Sequence, residues 1–131
     1  MLKDTFFSIT EAMDFENGRT YKLALNVSHP IFQAHFAGNP IMPGACIVQL
    51  IKELTADYYC QTFFTCVVKN MKFLHPVDPL KTPEISVRLT FVQNEASRLS
   101  VSAVIENDDI LFSKSTLFLE VTNEAMSYNE I

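Results

Sequence analysis

Glycine is scarce in this chain, with three in 131 residues, at positions 18, 38 and 44. Each one therefore marks a place where the backbone has a special need. Long hydrophobic runs are also missing: no stretch of 18 apolar residues occurs, which argues against a membrane-spanning helix. The opening MLKDTFFSITEAMDF carries acids where a signal peptide needs an unbroken apolar core, so a cytoplasmic chain is expected. Basic residues are few and unclustered. Ten Lys and Arg against fifteen Asp and Glu give a net charge of −5, a poor footing for nucleic acid.

The three cysteines, at 46, 60 and 66, are odd in number and lie in apolar strings. No disulfide framework follows, and their spacing fits no common zinc pattern, so no metal site is expected. Cys46 sits near a helix start, where a thiol pKa can fall, but is read as packing. Ser100, Ser102, Ser113 and Ser115 have no G-x-S-x-G context, which leaves a serine nucleophile without support. Repeats, low-complexity segments and linker-like stretches are all missing, and residues 1–131 read as one domain.

What is present divides into two periodicities. Asn17-Gly18 lies between an apolar segment and TYKLALNV, a strong hairpin signal. Tyr21, Leu23, Leu25 and Val27 then alternate with polar or small residues, as in a half-buried strand. Residues 28–44, rich in proline and glycine, read as a loop. From Ala45 to about Tyr59 no Gly or Pro intervenes, and Ile47, Leu50, Ile51, Leu54 and Tyr58 recur at helical spacing. Gln49, Lys52, Glu53 and Asp57 fall on the other side, a polar face.

Period two returns in FFTCVVKNMKF, in Ile85 to Phe91 and in Leu99 to Ile105. Asn107-Asp108-Asp109 turns the chain into a last strand from about Ile110 to Val121, and NEAMSYNEI reads as a frayed tail. One long helix and at least five alternating strands make an α+β fold with an antiparallel sheet packed on the helix.

The run HFAGNPIMPG at 35–44 closely resembles the H-F-P-G-x-P-x-x-P-G signature of the β-hydroxyacyl-acyl-carrier-protein dehydratases. HPIFQAHF upstream and MKFLHPVDPLKTPEISVRLTF downstream extend the resemblance over most of residues 20–120. It implies a hot-dog fold, in which an antiparallel sheet wraps a central helix. It also implies roles. His35 matches the base that takes a proton from C2 of a 3-hydroxyacyl thioester. Gly44 matches the helix-start residue whose N–H receives the thioester carbonyl. Phe36, Ile41, Met42 and Pro43 would line an acyl tunnel. His29 and His75 match no functional position.

Position 49, fourteen after the histidine, is the family's second catalytic site, a Glu or Asp that helps hydroxide leave as water. This chain has Gln49, whose amide cannot transfer a proton near neutral pH. Glu53, one turn later, is the candidate substitute acid. Many dehydratases carry the reverse order, an acid and then Gln.

The resemblance implies a substrate on the phosphopantetheine of acyl carrier protein or on coenzyme A, with no other cofactor. It also implies a dimer, either of this chain or with a homologue that supplies the missing carboxylate. Three functions follow: a dehydratase giving trans-2-enoyl thioesters in fatty-acid or related synthesis, an acyl thioesterase, or a catalytically weak acyl-binding subunit.

Overall fold

The computed structural model describes residues 2–34, 40–95 and 98–121, without the side chains of 64–66, 94, 95 and 121. His35, Phe36 and the tail beyond Val121 lie outside the described residues. Six strands and two helices follow in order: β1 Phe7–Phe15, β2 Gly18–Leu25, α1 Pro30–Ala34, α2 Gly44–Tyr59, β3 Phe63–Phe73, β4 Glu84–Glu95, β5 Arg98–Asn107 and β6 Ile110–Val121. All pairings between these strands are antiparallel, and they lie side by side in the order β1-β2-β4-β5-β6-β3. A single sheet packed against one long helix is the α+β hot-dog arrangement.

The central strands β4 and β5 show the alternation most plainly. Ile85, Val87, Leu89 and Phe91 of β4 are buried, as are Leu99, Val101, Ala103 and Ile105 of β5. Because side chains alternate between faces, these two sets cover one surface of the sheet. Helix α2 lays Cys46, Ile47, Leu50, Ile51 and Leu54 into the same core. Burying a side chain of this kind is worth about 1.5–3 kcal/mol relative to exposure.

Turn chemistry fixes the registers. Asn17 takes a φ of 70°, which closes the β1–β2 hairpin with Phe15 opposite Gly18. Asp108, at φ 43°, does the same between β5 and β6. The 28–44 segment is not loop throughout, since Pro30 opens α1. Proline is tolerated there because its missing N–H falls in the first turn. His29 caps this short helix, its Nδ1 accepting the Ile31 N–H at 3.1 Å.

Gly18 sits where β1, β2 and β4 meet, paired with Phe15 and Thr90. A Cβ at this position would press on the Leu89 carbonyl oxygen and stand 2.6 Å from Phe15 Cζ. The carbonyl belongs to the sheet and has no room to yield. Gly18→Ala should therefore lower unfolding stability by about 1–3 kcal/mol, as overpacking does. Denaturant titration of the two proteins checks this, and equal midpoints would contradict it.

Candidate functional site

Residues 41–43 lead directly into α2, which begins at Gly44. Met42 is buried and donates its N–H to the Val77 carbonyl at 2.9 Å. Pro43 follows with extended geometry, φ −66° and ψ 150°, and brings no side-chain cap. Its carbonyl accepts from Cys46 N and Ile47 N at 3.0 and 3.3 Å. The N–H groups of Gly44 and Ala45 precede the first intrahelical bond and have no acceptor within the helix. They carry the positive end of the helix dipole.

This helix start forms one wall of an apolar cleft of about 410 Å³. Ile41, Met42 and Pro43 before α2, and Gly44 and Ile47 within it, line this wall, so three of the four residues expected to hold an acyl chain come together beside the expected carbonyl site. Phe36 lies outside the described residues. The opposite wall is Phe73, His75 and Val77, with Phe112 and Ser113 of β6. Two hydrogen bonds hold this wall, from Leu74 N and His75 N to the Phe112 carbonyl, at 2.8 and 3.1 Å. An adjoining cleft of about 360 Å³ shares Ile41, His75, Pro76 and Phe112 and adds Asp78, Lys81 and Thr82.

Sequence reasoning missed the opposing wall. His75 matches no functional position of the resembling family, yet it lines both clefts. Ser113 has no nucleophile context in the sequence, yet it lines the larger cleft. Its buried hydroxyl has no hydrogen-bond partner among the described residues. Phe73 drew no notice in the strand pattern, but its ring lies over Gly44, and a Cβ there would be 2.9 Å from Phe73 Cζ. Cys46 also belongs to packing. Burial pushes its thiol pKa up, against the helix-start effect.

Gln49 and Glu53 do not line the cleft at Gly44. They face each other instead, Gln49 Nε2 donating to Glu53 Oε2 at 2.8 Å. Glu53 is not on a solvated polar face, being only 7% exposed. The N-terminal segment folds over it: Leu2 N lies 3.0 and 2.8 Å from its two oxygens, and Lys3 N donates to Oε1 at 2.8 Å. Both oxygens thus already accept from N–H donors, and the carboxylate lines no part of the cleft at Gly44. This geometry runs against Glu53 as substitute acid. Its i+4 spacing from Gln49 was visible in the sequence; the chain segment 51 residues away was not.

Further along α2, Asp57 accepts the Tyr21 hydroxyl at 2.8 Å and lies 3.6 Å from Lys3 Nζ. Burial raises the Tyr21 phenol well above its ordinary pKa, so it stays a donor to Asp57. Among the described residues no group of three or more His, Cys, Asp or Glu gathers as metal ligands. No helix there is long and apolar enough to cross a membrane.

Gly44→Ala should leave the fold intact, because the atom its Cβ meets is the tip of an exposed ring. It should weaken acyl-thioester binding by at least several-fold by crowding the helix start. Gly44→Ala with Phe73→Ala should regain part of the loss. Titration with an acyl-coenzyme A checks this, and unchanged affinity in the single variant would contradict it.

The family model of the ApeI-like dehydratases matches residues 11–114. The 3-hydroxyacyl-acyl-carrier-protein dehydratase FabZ of Klebsiella pneumoniae is 40% identical over 131 aligned positions, covering 92% of this chain and 85% of that protein. FabZ of Latilactobacillus sakei is 30% identical, covering 86% of each. Among solved structures, the dehydratase heterocomplex ApeI:P from Xenorhabdus doucetiae superposes with a TM-score of 0.63 at 16% identity, over 86% of this chain and 96% of that one. A thioesterase fold neighbour, yhdA of Lactococcus lactis, gives 0.58 at 11% identity, over 90% and 93%. An unbroken match over most of its length, and close FabZ relatives, make this chain a member of the ApeI-like dehydratase family.

Proposed function

We propose that this protein acts on 3-hydroxyacyl thioesters as a dehydratase-like enzyme. The observation that carries the reading is the uncapped helix start at Gly44, which opens onto an apolar cleft in a chain 40% identical to a dehydratase. The reaction breaks the C2–H and C3–O bonds, forms a C2=C3 double bond and releases water. His35 takes the C2 proton, the base role that an imidazole can fill near neutral pH. As that proton leaves, charge moves onto the thioester oxygen. The Gly44 N–H and the helix dipole stabilise it there. Ile41, Met42 and Pro43, with Phe36, hold the acyl chain.

The departing hydroxide needs a proton that Gln49 cannot carry. That favours a second reading, an acyl-binding subunit completed by a homologue whose carboxylate reaches across. The ApeI:P structure is a dehydratase heterocomplex. Strand β3 ends the sheet and leaves Val67 and Val68 47% and 45% exposed, an edge suited to a second chain. A homodimer uses the same edge. The substrate arrives on acyl carrier protein or coenzyme A, no other cofactor takes part, and the work is cytoplasmic.

Purified protein given a 3-hydroxyacyl-coenzyme A should form the trans-2-enoyl ester slowly. His35→Ala should lower the rate by about 10²–10⁴-fold. Gln49→Glu alone would set two carboxylates in contact, so the informative variant exchanges both, Gln49→Glu with Glu53→Gln, and should raise the rate by a similar factor. Turnover indifferent to His35 would refute the base. Release of free thiol with the hydroxyl retained would make the protein a thioesterase. Light scattering should give about twice the 14.9 kDa chain mass, and a monomer would contradict the shared edge.

A further inference from the structure

We infer that Glu53 is a positioning residue that orients Gln49 to accept a hydrogen bond from the hydroxyl of a bound 3-hydroxyacyl chain. The inference rests on the second reading above, in which two subunits share the site, and takes residue 49 of one subunit to face the substrate held by the other.

A side-chain amide can present either its NH2 or its oxygen to a ligand, and a free glutamine can exchange them by rotating. Glu53 removes that choice. A carboxylate only accepts hydrogen bonds, so Gln49 must turn its NH2 toward Glu53, as the 2.8 Å contact has it. The amide oxygen is then on the far side, directed away from Glu53. The carboxylate cannot follow a rotation of Gln49, because Leu2 N and Lys3 N hold both of its oxygens within 3.0 Å. Burial of Glu53, at 7% exposure, keeps water from competing for the same contacts.

The chemical consequence is a reversal of polarity. A carboxylic acid at position 49 would donate to the C3 oxygen and help it leave. Gln49 held this way accepts the hydroxyl's own proton in a hydrogen bond and keeps the C–O bond in place. The pair thus selects thioesters bearing a hydroxyl, in preference to unsubstituted chains, and binds them better than it turns them over. The N-terminal segment becomes part of the same device, since its backbone amides fix the carboxylate.

Binding separates these effects from turnover. Calorimetry with 3-hydroxydecanoyl-coenzyme A and decanoyl-coenzyme A should show wild type preferring the hydroxylated ester by about 3- to 10-fold, the range of one hydrogen bond. Glu53→Gln lets the amide turn, and should reduce the preference below about 2-fold without changing affinity for the unsubstituted ester. Gln49→Met leaves Glu53 its backbone donors and tests the same point should Glu53→Gln fold poorly; it too should abolish the preference. A preference untouched by either variant, or none in wild type, overturns the positioning role and leaves thioester binding standing. Failure to bind either ester overturns the proposed function and this inference with it.

Discussion

A helix packed along the core face of a sheet has few directions left for a polar group. This constraint organises the molecule. Helix α2 buries Cys46, Ile47, Leu50, Ile51 and Leu54, and with them Glu53 and Thr55. Every buried polar atom then needs a partner or costs about 1–3 kcal/mol. Thr55 finds one in the Ile51 carbonyl at 2.7 Å, one turn back. Glu53 takes the N-terminal amides and Gln49. Asp57 takes Tyr21 and approaches Lys3 and Arg19. The first turn is treated differently. Pro43 offers no cap, and Gly44 offers no side chain, so the helix start can serve a ligand.

The two ends of the helix thus do different work. Its C-terminal half is tied down by charge-assisted hydrogen bonds, which are stronger than neutral ones and hold the N-terminal segment against the helix. Its N-terminal end is walled by side chains, with Phe73 over Gly44 and with Ile41 and Met42 beside it. Rigidity at one end and access at the other suit a site that stabilises developing charge with a preset dipole.

Much of this was legible in the sequence, for local reasons. Helix α2 showed itself through an uninterrupted stretch with apolar residues at helical spacing, and the hairpins through Asn17-Gly18 and Asp108-Asp109. The pairing of β3 with β6 was not legible, because it joins segments some fifty residues apart and no local pattern encodes it. Helix α1 lies inside the 28–44 stretch that its prolines and glycines mark as loop, and Pro30 opens it. The cleft wall from 41 to 44 followed from a motif, whereas Phe73, His75 and Ser113 arrive by sheet topology. Glu53 was misplaced because helical spacing says which face a residue occupies and not what covers that face. Here the cover is the chain's own beginning.

The central claim is that the bare helix start receives the thioester carbonyl. Nitrogen-15 NMR of the protein titrated with an acyl-coenzyme A tests it residue by residue. The Gly44 amide proton should move downfield and exchange more slowly on binding, with smaller shifts at Ile47 and Phe73. Saturable binding that leaves the Gly44 amide unmoved would place the carbonyl elsewhere and contradict the account.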